Sequence, residues 1–238
     1  MASFYSEFAP YYEQVFPFRE EVYTFLREFA GKKGDRLLDA GCGPGHYCGR
    51  FSSDGFSAEG IDLDVKMIAA ATDAYPGVSF RCIDIAARDA FKGSFRMIYC
   101  IGNVLSHLHP SFLEPFLTRV HTTLEKGGCW VFQVVNWDYL LTLKEYFFPE
   151  KKIAEGNVSF FRSYPVISAE RVVFDVRLVA GGATLFHDSS SLYPTTSDAY
   201  GKLHKRLGFD FEGQYAGFDK SVFDEDSNSG LVMVFRKP

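Results

Sequence analysis

Three carboxylates and a run of glycines stand where a polar ligand would need them. Leu37-Leu38-Asp39-Ala40-Gly41-Cys42-Gly43-Pro44-Gly45 is a short apolar run that closes in three glycines spaced by two. A turn without side chains lets a ligand lie against the backbone, and a helix start beyond it offers unpaired N–H groups. Asp62 follows Asp39 by 23 residues, at the end of a second apolar run. One carboxylate there can accept from both hydroxyls of a ribose. Asp84 ends a third run, Val78 to Ile83. Further on stands Gly102-Asn103-Val104-Leu105-Ser106-His107. Asn103 can donate and accept, so it could orient an acceptor molecule. His107 could carry a proton near neutral pH.

These residues need a scaffold, and the chain supplies one. Arg36–Ala40, Ser57–Ile61, Val78–Ile83, Phe95–Ile101 and Cys129–Val135 read as strands. Between them lie helical stripes. Tyr47 and Phe51 are four apart; Met67 and Ala71 lie on a helix that Asp64 caps; Phe112, Phe116, Val120 and Leu124 recur at four-residue steps. His109, before Pro110, is a helix-start residue. Alternation of this kind predicts a doubly wound parallel sheet, whose ligands sit at the carboxyl ends of the strands. Upstream, Phe18, Val22, Phe25, Leu26 and Phe29 form another helical stripe that Gly31 is placed to end.

The dinucleotide fingerprint fits poorly, because His46 stands where its third glycine belongs. Asp-Ala-Gly-Cys-Gly-Pro-Gly instead resembles the first motif of class I S-adenosylmethionine (SAM)-dependent methyltransferases. The resemblance covers roughly residues 35–136 and 195–238. It implies that the turn carries the methionine part of SAM, that Asp39 holds its amino group, Asp62 the ribose and Asp84 the adenine amino group. The SAM-binding set it implies is Tyr11, Asp39, Gly41, Cys42, Gly43 and Gly45 around the turn. Leu63, Met67, Ile85, Ile101 and Gly102 join Asp62 and Asp84 in it. The stretch Phe-Tyr-Ser-Glu-Phe-Ala-Pro-Tyr-Tyr, residues 4–12, resembles the helix that caps the cofactor in small-molecule members. Gly102-Asn103 to His107 is similar to a segment of glycine N-methyltransferases, which implies catalytic roles for Asn103 and His107.

The expected fold is α/β: a Rossmann-like seven-stranded, mostly parallel sheet with an antiparallel last strand, and an antiparallel β insertion after strand five. Ser197 is expected to cap a helix before strand six, and Gly230–Phe235 to form strand seven. Residues 1–34 are expected as N-terminal cap helices, 35–150 and 194–238 as the SAM-binding domain, and 151–193 as a substrate lid. Within the insertion, Arg171–Ala180 alternates apolar and polar, and Gly181-Gly182 closes a two-residue hairpin. That hairpin would set Val176 opposite His187 and Leu178 opposite Leu185, with His187 and Ser189 on an apolar side. A sheet used for dimerisation is the other reading of this insert.

Composition narrows the partners. The chain has 238 residues, 47% hydrophobic, with a formal net charge of −5. No basic run suits nucleic acid, whose phosphates need Lys and Arg. Five cysteines without a C-x-x-C pair read as reduced thiols, not a metal or disulfide framework. No signal peptide or membrane span is expected, which points to a cytoplasmic monomer or homodimer. The expected activity is methyl transfer to a nitrogen or oxygen of a small molecule, with no metal. An RNA or protein methyltransferase, an aminopropyl-transfer enzyme and a non-enzymatic SAM-binding protein remain alternatives. Asn103, Asn136 and His187 are the expected substrate residues. Val135-Asn136-Trp137-Asp138 resembles the glycine N-methyltransferase segment whose arginine grips a carboxylate, but Val135 occupies that arginine's place. Free glycine is therefore not the expected acceptor, and a less acidic, more apolar one is. Arg162, Arg171 and Arg177 are the cations that could restore the grip.

Overall fold

The computed structural model describes residues 11–227 and 229–238. Phe4, Tyr5 and Phe8 of the expected cap lie outside them. The chain runs through α1 (Glu20–Arg27), β1 (Arg36–Ala40), α2 (His46–Ser53), β2 (Ser57–Asp62), α3 (Val65–Ala74), β3 (Ser79–Cys82), β4 (Phe95–Cys100), α4 (Pro110–Thr123) and β5 (Leu124–Val135). After a single turn, α5 (Trp137–Leu140), it builds β6 (Tyr146–Phe147), β7 (Lys151–Ile153), β8 (Val158–Ile167), β9 (Val172–Ala180) and β10 (Ala183–Leu192). It then returns through α6 (Ser197–Arg206), β11 (Asp210–Tyr215) and β12 (Gly230–Arg236).

The main sheet has seven strands in the order β11-β12-β5-β4-β1-β2-β3. The pairs β5/β4, β4/β1, β1/β2 and β2/β3 are parallel, and β12 is antiparallel to both its neighbours. The two-residue strand period sorts side chains to opposite faces. Leu38, Ile98, Trp130 and Phe132 pack under α4 and α6, whereas Leu37, Met97, Tyr99 and Val131 pack under α1 and α2. Both faces are covered, which is why these strands read as continuous apolar runs. Helix α3 starts at Asp64, whose carboxylate accepts from Lys66 N and Met67 N at 2.8 and 3.0 Å. His109 caps α4 through Nδ1, which accepts from Ser111 N.

Four local expectations change. Helix α1 ends at Arg27, ahead of Gly31, which lies in the following turn with φ +81°. Thr196 caps α6, because its Oγ1 accepts from Ala199 N, and Ser197 is the first helical residue. The second sheet, ordered β10-β9-β8-β6 with β7 on β8, starts at Tyr146, ahead of residue 151. Its hairpin begins as a two-residue turn, with Ala180 opposite Ala183. A bulge between Thr184 and Phe186 then shifts the register by one. Leu178 consequently faces Phe186, and His187 faces Arg177 instead of Val176. A slip of one residue exchanges the two faces of a strand, so His187 leaves the expected apolar side.

Candidate active site

Two cavities open at the carboxyl ends of β1, β2, β3 and β4. The first, about 720 Å³, is lined by Gly43, Asp62, Leu63, Met67, Asp84, Ile85 and, from the second sheet, Ser189–Ser191 and Tyr193. The second, about 500 Å³, is lined by Asp39, Cys42, Asn103, Gln133, Val135, Arg162 and a set of aromatic rings that includes Phe16, Phe148 and Tyr164. Tyr12, Gly41, Ile101, Gly102 and His107 line both, so the cavities meet there.

The glycine turn is tied to the acid of the neighbouring strand. Gly43 N donates to Asp62 Oδ2 at 2.8 Å, and Asp64 N donates to Oδ1 at 2.9 Å. Gly43 needs its glycine for conformation (φ +51°) and room, since a Cβ there would stand 3.3 Å from the Tyr12 hydroxyl. Burial raises the Asp62 carboxyl, while the two backbone donors oppose the shift. Each Asp62 oxygen keeps a lone pair for a further donor. Asp84 closes an Asx turn by accepting from Ala86 N at 2.8 Å, which leaves its other oxygen at the cavity wall.

Asp39 is the unusual acid. It is 2% exposed, and its Oδ1 has no hydrogen-bond partner. Tyr99 and Cys48 are its polar neighbours, with Cys48 Sγ 3.9 Å from Oδ2. Burial pushes its carboxyl well above the usual range, against a lowering contribution from the Tyr99 hydroxyl. The same burial raises the Cys42 and Cys48 thiols. A carboxyl in this position gains from a cation brought by a ligand.

Asn103 holds a left-handed turn, φ +64°, and its Oδ1 accepts from Ser106 Oγ at 2.7 Å and Val135 N at 3.1 Å. Its carbonyl is thus structural, and its amide nitrogen is left for a ligand. Burial lowers His107 to about 4, so its imidazole is neutral at physiological pH, and its buried Nδ1 has no partner. Gln133 fixes the loop from below: Oε1 accepts from Gly102 N at 2.8 Å.

Eleven of the expected cofactor residues, all but Tyr11 and Gly45, line one or both cavities. Gly45 is a packing residue, since a Cβ there would meet the Phe80 ring at 2.6 Å. Tyr12, the next aromatic after Tyr11, faces the junction. Asn136 is not at a cavity wall. It is fully buried, its Nδ2 donates to the carbonyls of Asp224 and Glu225, and its Oδ1 accepts from Tyr139 N. His187 lies outside both cavities, exposed and paired with Asp175 at 2.7 Å. Sequence reasoning missed Gln133 and the Ser189–Ser191 edge. Gln133 differs from its apolar strand neighbours in being polar, and that was its one visible signal.

A family profile described as a methyltransferase domain matches residues 37–128, the segment that holds Asp39, the glycine turn, Asp62, Asp84, Asn103 and His107. This segment is thus similar to methyltransferase domains, and the chain as a whole shares the fold of SAM-dependent methyltransferases. Malonyl-[acyl-carrier protein] O-methyltransferase from Erwinia billingiae is 28% identical over 109 residues, which are 46% of this chain and 42% of that relative. The aligned segment therefore spans less than half of the curated relative. A SAM-dependent methyltransferase from Clostridium acetobutylicum shares the fold of this methyltransferase domain and its second sheet, with TM-score 0.80 and 15% identity over 98% of both chains. SAM-bound CalS10, an amino pentose methyltransferase from Micromonospora echinaspora, aligns with TM-score 0.71 and 19% identity, covering 92% of this chain and 90% of its own.

Proposed function

We propose that the chain is an enzyme that transfers the methyl group of SAM to a nitrogen or oxygen of a small molecule. The observation that carries this reading is the junction. A nucleoside-sized cavity with acids at its rim meets a second, aromatic-lined cavity along Tyr12, Gly41, Ile101, Gly102 and His107. A methyl donor and its acceptor must meet at one such place.

The residues fit SAM. Asp39, buried with an unpartnered oxygen, would take the ammonium group; Asp62 would take the ribose hydroxyls; Asp84 would take the adenine amino group. Apolar Met67 and Ile85 would flank the base. When bound, SAM supplies a methyl group already activated by a sulfonium. The chain's own contribution is alignment and exclusion of water, and orientation of this kind is worth up to about 7–11 kcal/mol. Asn103 presents an amide N–H to the acceptor. Neutral His107 offers a hydrogen-bond acceptor at the junction, which can orient the nucleophile's own proton. Strands β8 and β9 wall the second cavity with Phe160, Tyr164 and Phe174. A cavity of about 500 Å³ with such walls suits a small acceptor. One relative is named for O-methylation of a malonyl group on a carrier protein and another for an amino pentose, so the fold serves more than one acceptor class.

Calorimetry tests the cofactor half. SAM and S-adenosylhomocysteine (SAH) are expected to bind in the micromolar range, about −8 kcal/mol. Asp62→Ala should weaken both by about 1.5–3 kcal/mol, the range for hydrogen bonds involving a charged group. Binding of NAD but of neither SAM nor SAH would overturn the reading. Radiolabelled SAM with a panel of amines, alcohols and acids tests the acceptor half.

A further inference from the structure

Strand β8 carries a charge in an apolar row. Val158, Phe160, Arg162 and Tyr164 alternate onto its inner face, where the other three are 5%, 1% and 2% exposed. Arg162 faces Val176 across the sheet, and its guanidinium reaches the second cavity. Its central carbon lies 4.5 Å from the ring centre of Phe148 and 5.6 Å from those of Phe16 and Phe160. Rings satisfy the charge in part, but they leave the five N–H donors without acceptors. Among the described residues the guanidinium makes neither an ion pair nor a hydrogen bond. Lys151, on β7 beside Phe160, lines the same cavity and donates to the Val15 carbonyl. Burial, and then the charge of Arg162, lowers the Lys151 ammonium. Among the described residues the wall has a third cation, Arg19, already paired with Glu21 at 2.6 Å, and one acid, Asp39, which makes neither an ion pair nor a hydrogen bond with Arg162. Arg171 and Arg177 line neither cavity, and Arg177 lies over Phe161.

A cation removed from water without an acidic partner is costly unless a ligand supplies one. We propose that Arg162, with Lys151 beside it, binds a carboxylate of the methyl acceptor. A planar carboxylate matches the two parallel donors of a guanidinium. The position also sets the shape of the acceptor. The hydroxyl of Tyr12 reaches Gly43, the Phe16 ring centre lies 5.3 Å from that of Tyr12, and the Arg162 guanidinium lies 5.6 Å from the Phe16 ring centre. Tyr12 lines both cavities, whereas Phe16, Phe148 and Arg162 line the second alone, so the cation stands away from the junction. The carboxylate binds at the distal end, while the nucleophile reaches the junction at Asn103 and His107. The acceptor therefore carries an apolar span between its nucleophile and its carboxylate. Free glycine, whose amine and carboxylate share one carbon, is too short. The sequence-based expectation of a less acidic acceptor is revised, because the insertion supplies the cation that Val135 lacks.

This inference rests on the methyltransferase reading, and the experiment separates the two. Calorimetry on SAH-loaded protein compares 3-phenylpropanoate with 3-phenylpropanamide. The acid should bind about tenfold tighter than the amide. Arg162→Met should erase that difference, Arg162→Lys should keep part of it, and SAH affinity should stay within about twofold in both variants. A thermal melt confirms that each variant folds. Equal binding of acid and amide to the wild type, or no binding of the acid at millimolar concentration, overturns the proposal. So does a large loss of SAH affinity in Arg162→Met, which would assign Arg162 to the cofactor's own carboxylate. Preference for phenyl phosphate over the acid overturns the carboxylate assignment. Failure of SAH to bind the wild type would sink the methyltransferase reading, and the acid and amide are then compared on the free protein.

Discussion

At the scale of the residue, Asp39 sets the terms for the cofactor site. A buried carboxyl raised above its unfolded value holds its proton to higher pH in the folded protein than in the unfolded chain. The stability it permits is fully present below the ordinary carboxylate range and declines as pH rises towards the folded value. Asp39→Asn removes that penalty. The free variant should therefore gain stability relative to the wild type as pH rises from 4 to 8. The same change removes the partner of an incoming ammonium, so SAM should bind at least about tenfold more weakly. Denaturant curves at the two pH values, with calorimetry for SAM, check both halves. A variant that loses stability relative to the wild type over that rise would mean that Asp39 is ionised and paired in the free protein. Asp39, Asp62 and Asp84 were legible in the sequence because each ends a strand, and strand ends are written locally. Asn136 misled for the opposite reason: the carbonyls it holds, of Asp224 and Glu225, are 88 and 89 residues away. The neighbours of Arg162 come from residues 16, 148 and 160, so its cage was equally invisible, though the charge itself was not.

At the scale of the element, the β9–β10 hairpin belongs to both ligands. Its last stretch, Ser189–Ser191, walls the nucleoside cavity, while Phe174 on β9 walls the acceptor cavity. Its tip, from Ala180 to Leu185, touches neither. Replacing residues 171–192 with a Gly/Ser linker should therefore abolish turnover and also weaken SAM about tenfold, the equivalent of about 1.4 kcal/mol. Trimming residues 179–184 alone should leave SAM affinity unchanged. Full SAM affinity in the long deletion would show that the serine edge makes no contact with the cofactor. The hairpin also marks where periodicity stops being a guide. Alternation along β9 and the Gly181-Gly182 turn were readable, but the bulge at Thr184–Phe186 was not. No glycine, proline or charge announces it, and one extra residue moved His187 to the solvent side.

At the scale of the whole molecule, the sheet is closed on its α4/α6 side by a stacked column. His204 lies 3.9 Å from the Phe235 ring at 7°, and Phe132 stacks on both. Trp130 Nε1 donates to His204 Nε2 at 3.0 Å, and His204 Nδ1 donates to the Tyr200 carbonyl at 2.7 Å, so the imidazole is neutral. Burial lowers His204 to about 4, as it does His107. For a group depressed on folding, the stability is present above the unfolded value near 6.5 and is lost as pH falls through the folded value. Acid should thus destabilise the fold between about pH 6.5 and 4, by up to about 3 kcal/mol per imidazole. His204→Phe should flatten that slope by about one proton in denaturant curves taken across the range. An unchanged slope would remove His204 from the acid limb. Alternating strands and helices made the seven-stranded sheet legible, whereas this column joins β5, α6 and β12 across the chain and had no local signature. One further contact has a consequence for how such a chain diversifies. Trp137 Nε1 donates to Ser106 Oγ at 2.9 Å where the second sheet departs, and Tyr193 N donates to Ser106 O at 2.7 Å where it returns. Ser106 thus joins both ends of the excursion, beside a second tie in which Ser197 N donates to Asp138 Oδ2 at 2.9 Å. A graft between relatives with breakpoints at 137 and 193 would exchange the second sheet's share of both cavity walls and leave Ser106 itself untouched.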